Sequence, residues 1–338
     1  MKNTFRVLLT GVSGFIGSHM LQQILEKTDW DIVGIASWKH KGTPERVEQV
    51  LKKNPVWAER LTIITHDLES PFTEMTKKRI GHIDYIVNVA SESHVERSIT
   101  DPVPFVQNNV NLVLNMLEFA REIKPKKFIQ ISTDEVYGVA PDGVNHKEWS
   151  PIVPSNPYSA SKAAQEAIAI SYWRTYGVPL IITNTMNNFG EMQDPEKFVS
   201  MLIKRVSAGE VVPVHGREGE IGSRFYLHAR NHADAVLFLL NNVEPTTYKE
   251  GEELYPDRFN VVGEAELNNL EMAELVARLM GKELKYELVD FHTTRPGHDR
   301  RYALDGAKLK ALGWIPPLSL EESLEHTIAW TINNDIWL

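Results

Sequence analysis

Short runs of consecutive apolar residues alternate, through the first half of the chain, with longer segments whose apolar residues recur every three or four positions. Arg6–Thr10 (RVLLT), Asp31–Ala36 (DIVGIA), Leu61–Thr65 (LTIIT) and residues 85–89, 127–132 and 179–183 are runs of the first kind. Such near-continuous apolar runs predict strands buried on both faces. Residues 18–27 carry Met20, Leu21, Ile24 and Leu25 on one side, and 103–123 and 159–176 show the same helical period. Strands alternating with helices predict an α/β fold, a Rossmann-type doubly wound parallel sheet covered on both faces. Beyond Asn184 the pattern becomes irregular. A helix is expected within 226–240, a returning strand at 259–262, an amphipathic helix at 270–280 ended by Gly281, and another at 318–330; 246–256 reads as a polar loop. The division expected is a dinucleotide-binding domain over 1–186, with returning segments near 224–263, and a smaller C-terminal α/β substrate domain over 187–338.

Composition narrows this only in part. Among 338 residues, hydrophobic types make up 42% and charged types 24%, which excludes a disordered chain. The net charge of −9 argues against a broad nucleic-acid-binding face. The absence of cysteine removes disulfides, thiolate metal sites and a cysteine nucleophile. The 12 histidines show no paired helical spacing beside carboxylates, so no metal is expected. No apolar run is long enough to span a bilayer and no secretory leader is visible, so a cytoplasmic protein is expected.

The first predicted strand runs into Gly11-Val12-Ser13-Gly14-Phe15-Ile16-Gly17 and then a helix. Gly11 permits a tight turn, Gly14 allows the backbone to approach a pyrophosphate, and Gly17 allows close helix–sheet packing in front of a helix N-terminus. The spacing after a strand and before a helix points to a dinucleotide. The acid that usually ends the second strand and holds the adenosine ribose is missing; Ser37, Lys39, Lys41 and Arg46 stand nearby. NAD and NADP are therefore both open. Asp67 and Leu68, after the third strand, are placed for the adenine edge.

Tyr158 and Lys162 lie four apart, on one helical face. An ammonium and a cationic nicotinamide beside the phenol would favour the phenolate and make the tyrosine a base. At the carboxyl end of the fifth strand, where parallel sheets bind ligands, come Thr133, Asp134 and Glu135, a hydroxyl and two adjacent carboxyls able to divide into acid and base.

Taken with TGVSGFIGSH (10–19), ASESHVERSI (90–99), STDEVYG (132–138), NPYSASKA (156–163), TNTMNNFG (183–190), PEKF (195–198) and RPGHDRRYALD (295–305), these motifs resemble the extended short-chain dehydrogenase/reductases, specifically the dTDP-glucose 4,6-dehydratase family. The Thr-Asp-Glu trio is the discriminating element, since the related epimerases and decarboxylases lack the acidic pair. The resemblance implies that Tyr158 takes the proton of the sugar 4-hydroxyl as hydride leaves carbon 4, with Thr133 on the same oxygen. Glu135 then removes the carbon 5 proton, Asp134 protonates the departing 6-hydroxyl, and hydride returns to carbon 6. Asp134 is expected to hold a proton where Glu135 does not.

It further implies that Phe15 and Ile16 lie at the pyrophosphate, that Ala90, Ser91, Ser93 and His94 line the nicotinamide side with Asn108 near, and that Asn187 reaches the tightly bound cofactor. His94, Asn188, Lys197, Phe198, Pro213, Val214, His215, Arg224, Asn260, Arg295 and His298 would hold the nucleotide-diphosphate sugar. A homodimer formed through the helices at 103–123 and 159–176 as a four-helix bundle is also implied. Departures fall around the base and the adenosine ribose: RFYLHARNH (224–232) replaces RDWLYVEDH, and His215 stands where a tyrosine is usual. The nucleotide and sugar stay open. An epimerase or decarboxylase of the same superfamily, and a non-catalytic NAD(P)-binding scaffold, are the competing readings.

Overall fold

The computed structural model describes residues 4–217, 219–252, 254–290 and 300–338. Strand β1 (Arg6–Thr10) leads into helix α1 (Phe15–Lys27), and the pattern repeats through β2 (Asp31–Ala36), α2 (Pro44–Lys53), β3 (Leu61–Thr65), α3 (Glu74–Ile80) and β4 (Tyr85–Asn88). It continues through α4 (Val95–Thr100), α5 (Pro102–Ile123), β5 (Lys127–Thr133), α6 (Pro157–Tyr176) and β6 (Leu180–Thr185). Next come β7 (Asn188–Phe189), α7 (Phe198–Ala208), β8 (Val212–Arg217), β9 (Glu220–Ile221), β10 (Ser223–Phe225), β11 (Leu227–His228) and α8 (Ala229–Asn242). The chain closes with β12 (Asp257–Val261), β13 (Glu266–Asn268), α9 (Asn269–Leu279), β14 (Tyr286–Val289), α10 (Ala307–Ala311) and α11 (Leu320–Ile332).

Seven strands form one parallel sheet in the order β12-β6-β5-β4-β1-β2-β3. The apolar runs are explained by its two covered faces. Along β1, Val7 and Leu9 enter one core with α1 and α8, whereas Leu8 enters the opposite core with α5 and α6; all three are 0% exposed. Burying each such side chain contributes roughly 1.5–3 kcal/mol, so a strand of this kind tolerates no polar alternation. Order reverses between β1 and β4, the crevice where doubly wound sheets place ligands.

Helix α1 begins at Phe15 rather than at 18, because Gly14 is its N-cap. The helix expected within 226–240 is α8, and ahead of it Leu227 and His228 pair with Asn188 and Phe189, with His228 capping α8 by accepting from the Arg230 N–H. The expected strand 259–262 is β12, pairing alongside β6. A third apolar cluster joins α7, β8, α9 and α11 around Leu202, Ile203, Val214, Met272, Val276 and Leu324. None of the helices is long and apolar enough to cross a membrane among the described residues.

Candidate active site

The glycine loop between β1 and α1 is built to admit an anion. Gly11 has φ +66°, and a Cβ at Gly17 would lie 2.0 Å from the Gly11 carbonyl oxygen, so neither position accepts another residue without displacement. No side chain caps α1, so the N–H groups of its first turn, at Phe15, Ile16 and Gly17, face outward for a phosphate. Ala90 backs directly onto Gly11, and the Thr10 hydroxyl accepts the N–H groups of Val89 and Ala90 at 3.0 Å each. A dinucleotide fits this cradle. The Asn187 side-chain amide oxygen is buried with no hydrogen-bond partner among the described residues.

Around that cradle stand the predicted adenosine and nicotinamide residues. Lys39 pairs with Asp67, while Ser37 is exposed and accepts the Lys39 N–H. The Leu68 side chain is in the core and its carbonyl is held by Asn115. Ser91 and Asn108 are half-buried, Ser93 is exposed, and His94 caps α4 while its Nε2 lies 3.2 Å from Glu196. Lys41 reaches both Asp194 and Glu196. Arg46 corrects an expectation. It is 1% exposed, bonded to the carbonyls of Met192 and Lys41, paired with Asp194 at 3.3 Å and stacked on Trp337. It ties α2 to the 192–194 segment instead of facing a ribose.

The predicted catalytic residues converge at the ends of β5 and α6. Asn156 caps α6 and donates to Glu135 Oε2 at 3.3 Å. Thr133 donates to Asp134 Oδ1 at 2.8 Å, and Asp134 Oδ2 is buried without a partner among the described residues. Burial, then the Glu135 charge, pushes the Asp134 carboxyl up to about 7, so Asp134 carries a proton under conditions where an ordinary carboxyl has lost it.

The phenol differs from expectation. Burial, with Glu135 and Asp134, pushes the Tyr158 hydroxyl up, and only a hydrogen bond with Thr133 works against this. Lys162 does not rest on the phenol. Its ammonium donates to the Ile131 carbonyl and to Gln165 Oε1, each at 2.7 Å, and burial draws it down to about 8. The pair shares a helical face as the spacing requires, but the protein alone does not supply the phenolate; a cationic ligand must add to it.

On the substrate side, Arg224 sits on β10 with its guanidinium over Tyr302, and its charge reaches Asp134. Lys197 caps α7, Phe198 stacks on Tyr226, and Pro213 and His215 lie half-buried on one face of β8. Strand alternation sends Val214 the other way, into the third core, so it is not a lining residue. Asn188 spends its amide on Thr185, Met186 and His232. Asn260 is 0% exposed, with its amide nitrogen donated to the carbonyls of His146 and Asp305 and its amide oxygen buried without a partner among the described residues. Arg295 and His298 lie outside the described residues.

Two polar groupings had no sequence signal. Glu191 pairs with His228 and Arg230 at 3.0 Å each, and its carbonyl meets His19. Glu166 pairs with Arg258 at 2.6 Å, both fully buried, while Asn184 links Glu166 to the Thr133 carbonyl. The partners are separated by tens of residues, so no local spacing reveals them.

A doubly wound sheet, a glycine cradle at its reversal point and a tyrosine–lysine helix beside it define a short-chain dehydrogenase/reductase. The chain matches the protein family described as GDP-mannose 4,6 dehydratase over residues 8–327, and it belongs to that family. It is 34% identical to dTDP-glucose 4,6-dehydratase 1 of Escherichia coli, over 98% of this chain and 94% of that one. It is 35% identical to a low-salt glycan biosynthesis protein of Haloferax volcanii, over 97% and 99%. Among solved structures, dTDP-glucose 4,6-dehydratase of Bacillus anthracis in complex with NAD superposes with a TM-score of 0.83 at 28% identity, covering 99% of this chain and 98% of that one.

Proposed function

We propose that the chain is an NAD-dependent hydro-lyase that converts a nucleoside-diphosphate hexose, of the dTDP-glucose kind, into its 4-keto-6-deoxy derivative. The observation that carries this is the carboxyl pair at the end of β5, a buried, proton-bearing Asp134 beside a half-buried Glu135, with Asp134 at hydrogen-bonding range of the Thr133 hydroxyl and next to Tyr158. Tyr158 accepts the proton of the sugar 4-hydroxyl and Thr133 orients that oxygen. Glu135 removes the carbon 5 proton, made acidic by the adjacent ketone. Asp134 delivers its proton to the carbon 6 oxygen, which leaves as water. NAD, bound on the glycine loop by Gly11, Gly14, Phe15, Ile16 and Gly17, supplies the oxidant at carbon 4 and the returning hydride at carbon 6. Lys197 and Arg224 give the diphosphate charge-assisted hydrogen bonds. Incubation with a panel of nucleotide sugars followed by mass spectrometry tests this. Loss of one water is expected; unchanged mass with altered stereochemistry would make the chain an epimerase.

What supports NAD over NADP is that cations near the second strand already have acids: Lys39 with Asp67, Lys41 with Asp194 and Glu196, Arg97 with Glu92. A 2′-phosphate would displace those pairings. Weighing the cofactor released by denaturation decides it. The reading also includes a cytoplasmic homodimer formed through α5 and α6, whose outer faces leave Val103, Leu114 and Tyr176 exposed. A monomeric mass at micromolar concentration would overturn the dimer.

A further inference from the structure

A line of buried side chains crosses the sheet from the glycine loop to the lysine. The Thr10 hydroxyl donates to Asn88 Oδ1 at 2.7 Å, Asn88 Nδ2 donates to Gln130 Oε1 at 2.8 Å, and Gln130 Nε2 donates to Gln165 Oε1 at 3.4 Å and to the Ile131 carbonyl at 3.0 Å. Gln165 Oε1 also receives the Lys162 ammonium at 2.7 Å, and Gln165 Nε2 donates to the Asn109 carbonyl at 2.7 Å. Thr10, Asn88, Gln130 and Gln165 are all 0% exposed. In this line the amides of Asn88, Gln130 and Gln165 are each satisfied at both ends, the condition under which buried polar groups are least costly.

The orientations are forced by the lysine. An ammonium has no acceptor, so Gln165 must turn its oxygen to Lys162 and its nitrogen to Asn109. Gln130 must then turn its nitrogen toward Gln165 and its oxygen toward Asn88, which leaves Asn88 Oδ1 for Thr10. Thr10 directly precedes Gly11 and receives the N–H of Ala90, the residue packed on Gly11. Both hydrogen bonds of the ammonium go to neutral oxygens, the Ile131 carbonyl and Gln165 Oε1, while Glu166 acts on it through charge without a hydrogen bond among the described residues. The neighbouring carboxylate, Glu166, is bonded to Arg258 instead.

We propose, resting on the reading of Tyr158 and Lys162 above, that Gln165 is a positioning residue for the carbon 4 oxidation. It holds the Lys162 ammonium on a neutral oxygen and couples it, through Gln130 and Asn88, to Thr10 and the loop at Ala90. A neutral acceptor keeps the full positive charge of Lys162 for the phenol and the ligand, where a carboxylate in the same place would neutralise it. Burial draws Lys162 down to about 8, and the Glu166 charge only partly offsets it.

The test uses the full-length protein with Gln165→Leu, Gln165→Glu and Gln130→Leu. Lys162 is titrated by NMR in protein carrying isotope-labelled lysine, its signal identified by its loss in Lys162→Met. Gln165→Glu is expected to raise the Lys162 midpoint by about one pH unit or more, as a carboxylate in contact should. Gln165→Leu is expected to lower it. In turnover, Gln165→Leu and Gln130→Leu should lower kcat by about 10–100-fold with KM within about threefold. The acid limb of the pH–rate profile should move upward in both Gln165 variants. An unchanged Lys162 midpoint in Gln165→Glu, or wild-type kcat and pH profile in Gln165→Leu, overturns the proposal. If Gln165→Leu fails to fold, the near-isosteric Gln165→Glu decides it alone. If the wild-type protein dehydrates no nucleotide sugar, the functional reading fails by itself and the lysine titration still decides the role of Gln165.

Discussion

Asp134→Asn should make the protein more stable in mild alkali and inactive at the same time. The Asp134 side chain is 3% exposed, and burial with the adjacent Glu135 charge lifts it from 3.8 to about 7. At 1.36 kcal/mol per pH unit that gap corresponds to roughly 4 kcal/mol. The folded state holds the proton more tightly than the unfolded chain, so stability is fully present below pH ~4 and is lost as pH rises through about 7. Asparagine keeps the oxygen that accepts from Thr133 and replaces the titrating oxygen by a neutral amide, which removes this pH-dependent loss. Part of that loss falls below pH ~5 and water reaching the site trims the rest, so a relative gain of about 1–3 kcal/mol is expected between pH 5 and pH 8. Urea unfolding of both proteins at the two pH values measures it. Dehydration should fall by about 10²–10⁴-fold, because the leaving oxygen no longer receives a proton. Wild-type kcat should itself decline above about 7 as the acid is lost. A stability difference independent of pH, or unchanged dehydration, would refute the reasoning.

Tyr158→Phe should abolish reduction of the bound nicotinamide by substrate, by about 10²–10⁴-fold, while thermal stability stays near wild type; ultraviolet absorbance of the reduced ring follows it. Gly17→Ala places a methyl 2.0 Å from the Gly11 carbonyl oxygen, so the loop must shift. It should cost about 1–3 kcal/mol and leave the purified protein without dinucleotide, as read by mass spectrometry of the denatured supernatant. Glu166→Gln breaks a fully buried pair with Arg258 and should lower stability by about 3–5 kcal/mol in urea unfolding. A loss under about 1 kcal/mol would show that Arg258 finds its compensation elsewhere, in the Glu148 carbonyl and the Trp149 ring.

Much of the sheet is legible along the chain. A strand covered on both faces is apolar at most positions, and the runs in β1, β2 and their parallel neighbours show it, with buried polar residues such as Asn88 and Gln130 as internally bonded exceptions. The glycine loop is legible for a similar reason: Gly11 and Gly17 answer steric demands made within seven residues. The tyrosine–lysine pair and the Thr-Asp-Glu trio are local too, one set by helical period and the other by the end of β5. What the chain pattern hid was the surroundings of single polar residues far from these motifs. Arg46 and Asn260 look like exposed ligand groups in sequence, yet both are buried and engaged with backbone carbonyls.

The sequence by itself determined the α/β architecture, the glycine loop and the candidate groups for chemistry, because each follows from a spacing of a few residues. Only the tertiary structure decided their charge states and their partners. The Asp134 carboxyl is raised because burial excludes water from it, and Lys162 meets Gln165 and the Ile131 carbonyl. The line from Thr10 through Asn88 and Gln130 to Gln165 joins residues up to 155 positions apart by exploiting strand order, β1 beside β4 beside β5. Hydrogen bonds and desolvation act over a few ångströms of space, and the distance along the chain carries no record of them.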